Sequence, residues 1–138
     1  MAQEKVIVRP GHTITRKLAA AVLASSIPTG AWLPVTATAN EGEIKVVDAQ
    51  NQVVEGYINQ PGAAGDLVNV VIDGIVPVKC TGAVNRLDDL LTSSNGMFFA
   101  PAKTSGTTYN IPGRALTKCT AANEYVSVQI APSKLRLK

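Results

Sequence analysis

The stretch VNVVIDGIVPVK, residues 68–79, constrains the fold more than any other in the chain. Apolar residues run into Asp73-Gly74 and straight out again. That dipeptide suits a tight type I′ turn, whose two central residues both take φ > 0. It predicts a β-hairpin over residues 67–79, and the surrounding sequence predicts more of the same. In EYVSVQIA, residues 124–131, Val126, Val128 and Ile130 alternate with Ser127 and Gln129, the period of a strand with one buried face. The tail KLRLK carries the alternation on through Leu135 and Leu137.

Further strands are expected at 31–37, 43–47, 53–58, 90–92 and 97–100, separated by Asn-, Asp- and Gly-containing turns. Residues 18–23 suit one or two helical turns or a strand equally well. Many short strands with frequent turns indicate an all-β fold, a small β-barrel or β-sandwich of short antiparallel strands. The start of the chain reads differently. Val6, Ile7 and Val8 form one short apolar run, stopped by Arg9-Pro10-Gly11. The expected organisation is an extended N-terminal arm, residues 1–17, followed by a single β domain, residues 18–138. The chain's 138 residues can bury a core without disulfide or metal. Aromatic residues are only 4%, so that core is built mainly from Val, Ile, Leu and Ala.

A weak internal repeat suggests two related β-units. Residues 26–37 followed by 44–47 match residues 83–94 followed by 97–100, Gly56 matches Gly113, and 65–72 match 123–130. Chance likeness between two β-rich stretches is the competing reading.

Reactive chemistry is sparse. His12 is the only histidine and sits in the Pro-Gly-rich arm, where an exposed loop residue is expected. Asp88-Asp89 are adjacent, so on a strand they point to opposite faces, and they read as solvating the turn before Leu90-Leu91. GAAGD, residues 62–66, has neither GxGxxG nor the Lys-Ser/Thr of a phosphate loop. Cys80 and Cys119 lack CxxC spacing and read as buried thiols, a bridge between them staying open. RKLAAAVLASS, residues 16–26, imitates a signal peptide but starts late and is too short to span a bilayer. The net charge of +3, without interleaved aromatics, argues against direct nucleic-acid binding. No catalytic residue, cofactor or metal is expected, and no membrane partner.

What remains is surface. Extended terminal segments can add to sheet edges on other chains. The candidate protein-interface residues are therefore Lys5, Val6, Ile7, Val8 and Arg9 in the arm, Leu135 and Leu137 in the tail, and Trp32 as an interface anchor or a core filler.

The run GDLVNVVIDGIVPVKCTGAVNRLDDLLTSSNGMFFAPA, followed by YNIPGRALTKCTAANEYVSVQI, resembles the capsid decoration, or cement, proteins of tailed-bacteriophage heads. Their pattern of "V-x-V-x-x-x-G", "G-A-x-x-x-x-D-x-L", a glycine turn, "G-R-A-L" and "Y-V-x-V-x-I" falls here on residues 68–74, 82–90, Gly96, 113–116 and 125–130. Leu87 departs from it, standing where the pattern carries glycine. The resemblance implies a non-enzymatic structural protein, made in the host bacterial cytoplasm and carried on the outer surface of the virion capsid. Its partner would be the major capsid protein, bound by homo-trimers at three-fold and local three-fold positions that clamp neighbouring subunits and stabilise the shell. The competing classes are a carbohydrate- or surface-binding β-module, β-clip or lectin-like, and a small hydrolase dependent on His12 or Asp88-Asp89.

Overall fold

The computed structural model describes residues 7–27, 31–101 and 106–136, and strands dominate it. In chain order they are β1 (Arg9–Pro10), β2 (Thr13–Leu18), β3 (Leu33–Ala37), β4 (Glu43–Val46), β5 (Gly56–Ile58), β6 (Leu67–Val71), β7 (Gly74–Lys79), β8 (Asp89–Thr92), β9 (Phe98–Phe99), β10 (Thr108–Ala115) and β11 (Tyr125–Arg136). Strands β2-β4-β3-β5-β6 close into a barrel. Strands β1-β7-β11-β10-β8-β9 form a second, curled sheet. Its far edge returns to its start, because Phe98 makes a parallel bridge to Cys80 just beyond β7.

The expected hairpin at 67–79 does not form. β6 pairs with β2 and β5, whereas β7 pairs with β1 and β11. Asp73-Gly74 does turn the chain, with Gly74 at φ +95°. A turn dipeptide fixes a change of direction, however, and not the partner of the strands it joins. The partner here is the N-terminal segment. Its register runs from Arg9↔Ile75 and Pro10↔Gly74 to Thr13↔Val71 and Lys17↔Leu67 without a slip. Gly11 N–H to Asp73 O and Ile72 N–H to His12 O carry it across the gap. One antiparallel ribbon therefore crosses from the second sheet into the barrel. From Arg9 on, the expected arm is paired strand.

The internal repeat is a repeat of topology. Each barrel ladder has a counterpart in the second sheet: β2–β6 in β7–β11, β5–β6 in β11–β10, β3–β5 in β8–β10, and β3–β4 in β8–β9. The parallel closure of β2 on β4 corresponds to the Cys80–Phe98 bridge, and the Val22–Gly62 bridge to Val84–Cys119. The sequence match of 65–72 with 123–130 agrees with the ladders, since Lys17 faces Leu67 and Lys79 faces Tyr125. The match of 26–37 with 83–94 is out of register by two. It sets Val35 against Thr92, while the ladders set Val35, partner of Gly56, against Leu90, partner of Gly113.

The interiors follow the same correspondence. Leu18, Val35, Ile44, Ile58, Val68 and Val70 fill the first barrel, and Cys80, Leu90, Phe98, Ala115, Val126 and Val128 occupy the equivalent places in the second. All are buried. Val47, Val54, Tyr57 and Val71, from the first unit, cluster with the second core. Tyr57 packs its ring 6.1 Å from that of Phe98. Burying each such side chain contributes about 1.5–3 kcal/mol, so these four residues join the two units into one core.

Candidate interaction surface

The ribbon bends at residues 11–12 and 72–73, and Asp73 holds the bend. Its Oδ1 accepts the His12 backbone N–H at 2.6 Å, and its Oδ2 lies 2.7 Å from His12 Nδ1. The hydrogen bonds from the His12 ring and backbone keep the Asp73 carboxyl below the usual carboxylate range. His12 is exposed, as its place in the sequence suggested, yet it is tied to a corner residue rather than free.

Ile7 marks where the arm meets the body. Ser127 Oγ donates to Ile7 O at 2.9 Å and accepts the Ile7 N–H. Ser127 points away from the core on the alternating strand β11 and is nonetheless fully buried. Ile7 and Val8 remain 40% and 51% exposed, so this segment offers apolar surface while its backbone is anchored. Arg9 pairs with Ile75. Trp32 is half-buried against the second core and donates its backbone N–H to Pro77 O at 2.8 Å, so it fills the joint between the units. Leu135 lies on β11 opposite Tyr109. Lys5, Val6 and Leu137 lie outside the described residues.

The sequence reading missed a cleft beside the tail. Between β10 and β11 the register moves from Ile111↔Ser133 to Gly113↔Ile130, so Pro112 alone faces Ala131 and Pro132. The signal was available as two prolines inside strand-like runs, since each lacks the N–H a ladder needs. Val53 and Val54 border this bulge, and with Ile111, Pro112 and Pro132 they line an open, largely apolar cleft of about 200 Å³. Asn51 (φ +61°) fastens the border to β10 through Thr108 O and both the N–H and side chain of Asn110. β7 accompanies β11 only as far as Gln129, so among the described residues the strand continues to Arg136 with a ladder on its β10 side alone.

The remaining candidates are spent on turns. Asp88 Oδ2 accepts the Asn85 N–H at 2.9 Å. In GAAGD, Asp66 Oδ2 accepts the Ala63 N–H at 2.8 Å, and Glu124 does the same for Thr120 and Ala121 in the second unit. A carboxylate thus occupies the position a bound phosphate would need.

No protein-family model matches the chain, and no curated protein matches it in sequence. In structure it is similar to the N base of the head fibre gp8.5 of bacteriophage phi29, at 21% identity and a TM-score of 0.59. The likeness covers 91% of this chain and 98% of that one, so it takes in both the barrel and the second sheet.

Proposed function

We propose that this chain is a non-enzymatic decoration protein of a tailed-phage head, bound to the outside of the mature capsid lattice and clamping neighbouring major-capsid subunits. The supporting observation is the fold, a closed barrel joined to a second curled sheet, similar over nearly its full length to a protein of a phage head. The motif resemblance over residues 65–130 points the same way. On this reading the anchored apolar segment at Ile7 and Val8, and the one-sided end of β11 with its neighbouring cleft, meet the shell as homo-trimers at three-fold and local three-fold positions. Many such contacts, each weak, suffice. A protein that binds the expanded lattice and not its precursor stabilises the expanded state by mass action.

The test is co-sedimentation of the purified protein with expanded heads that lack it and with unexpanded precursor heads. Saturable binding to expanded heads alone, with added heat resistance, is expected. Binding to neither would overturn the proposal. Residues 9–14 pair in β1 and β2, so a truncation that locates the contact must stop short of them. Removing residues 1–6 leaves every described strand in place.

A further inference from the structure

Cys80 and Cys119 are the chain's two cysteines, and neither belongs to the surface just described. Both are free thiols, 0% and 2% exposed. Cys80 follows β7, its N–H donating to Glu124 O at 2.9 Å and its O accepting from Asn123 N–H at 2.8 Å. Cys119 follows β10 and exchanges two backbone hydrogen bonds with Val84, at 3.0 and 3.1 Å. These bonds fix both backbones within the second barrel. Cys80 and Cys119 belong to one buried cluster, and Cys119 Sγ donates to Gly82 O at 3.4 Å. The first barrel holds Leu18 and Gly62 at the same two places, where Leu18 Cδ1 would lie 2.9 Å from a Cβ on Gly62. The two backbone sites therefore face each other in both barrels, and only the second carries sulfur at both.

We propose that Cys80 and Cys119 are the halves of a latent intramolecular disulfide, closed by exchange with a small-molecule disulfide such as oxidised glutathione. Cys119, having lost its proton to solvent, attacks one glutathione sulfur, and the other glutathione leaves as a thiolate and is protonated. Cys80, deprotonated in turn, attacks the Cys119 sulfur of the mixed disulfide and expels the second glutathione. The protein loses two hydrogens and one glutathione disulfide becomes two thiols. Because both sulfurs are enclosed, exchange waits on local opening of the barrel. The bond would close a loop containing β8, β9 and β10 and restrict the unfolded chain accordingly.

The test measures the dithiol–disulfide equilibrium across glutathione buffers, for the folded chain refolded in each buffer and for the chain held in concentrated urea. Refolding loads the site, so burial does not limit access. Free thiols are counted by mass after alkylation, and linked peptides are mapped. The folded chain is expected to favour the Cys80–Cys119 bond over the unfolded chain by at least about 100-fold, as loop closure of this length implies. C80S and C119S variants should form only mixed disulfides with glutathione. Equal or weaker preference in the folded chain, or links between chains in place of the internal one, would overturn the proposal. None of these readouts involves a capsid.

Discussion

The first barrel closes with a parallel ladder of two residue pairs, Lys17↔Glu43 and Leu18↔Ile44, whereas the second closes with the single bridge between Cys80 and Phe98. Their interiors differ in the same sense. Leu18, Ile44 and Ile58 are three medium-sized side chains. Their equivalents are the small Cys80 and Ala115 around one large ring, Phe98. Cores tolerate such exchange when the total volume is kept. Topology and filling are thus separable here: strand order and register persist while the side chains trade places. What does not trade is the backbone contact that lets two strands approach.

Gly56 and Gly113 show that constraint and give the sharpest way to break the comparison. A Cβ on Gly56 would lie 2.3 Å from Val70 Cγ1 and 2.6 Å from Val71 O. On Gly113 it would lie 2.1 Å from Gln129 O and 2.9 Å from Val128 Cγ1. Those neighbours are themselves equivalent, and in both cases a carbonyl of the adjoining strand cannot yield without opening a ladder. Gly56→Ala and Gly113→Ala are each expected to cost about 3 kcal/mol or more in urea denaturation, above the usual cost of overpacking. Gly82→Ala, which meets nothing within 4 Å, should be nearly neutral. If one barrel accepted the methyl group freely, the two units would not share this joint. Because Val47, Val54, Tyr57 and Val71 pack into the second core, either substitution should move a single transition rather than split it.

The two glycines were legible in the sequence as matching landmarks, as were the strand alternation at 125–130 and the all-β class. The expected hairpin at 67–79 does not form because its two halves look outward to partners 46 to 58 residues away in chain order, β2 and β11. Local turn chemistry carries no record of a distant competitor. β10 escaped notice for another reason. TYNIPGRA sets Pro112 and Gly113 in its middle, which reads as a loop unless the bulge opposite Ala131 and Pro132 is known. Of the candidate interface, exposure at Ile7 and Val8 followed from the sequence. Their anchorage on Ser127 depended on a fold not yet assembled.

A second difference between the barrels is titratable. Burial pushes both thiols above the ordinary cysteine range, and Tyr57, whose hydroxyl is buried with no hydrogen-bond partner among the described residues, is likewise pushed up. The folded protein therefore keeps protons that the unfolded chain releases. Stability from these groups is complete below about pH 8.5 and falls as pH climbs toward the folded values, by at most about 1.4 kcal/mol per pH unit for each group. Transplanting the first barrel's pair, as Cys80→Leu with Cys119→Gly, nearly conserves volume and should remove the thiol share, leaving only the decline due to Tyr57 above about pH 10. Urea midpoints measured from pH 8 to pH 11 decide this. An unchanged slope in the double variant would show that the cysteines are not its source.

The smallest expected effect concerns one turn. Leu23 and Asn85 are equivalent, and each begins a turn closed by the same backbone bond, Ser26 N–H to Leu23 O at 2.9 Å and Asp88 N–H to Asn85 O at 3.2 Å. Within the second turn Leu87 sits at φ +68°, in the left-handed region, where Cβ crowds the following carbonyl at a cost of about 1–2 kcal/mol. Its counterpart Ser25 has no positive φ. Leu87 is 63% exposed, so little packing offsets its strain. Glycine would remove the clash but add freedom to the unfolded chain, worth about 0.5–1 kcal/mol. Leu87→Gly is therefore expected to gain up to about 1 kcal/mol. Ser25→Gly, with no strain to relieve, should lose a few tenths. Destabilisation by Leu87→Gly would mean that the leucine side chain packs against the body after all. A gain in stability accompanied by weaker binding to expanded heads would instead identify an exposed leucine, held at a conformational cost, as part of the surface that meets the shell.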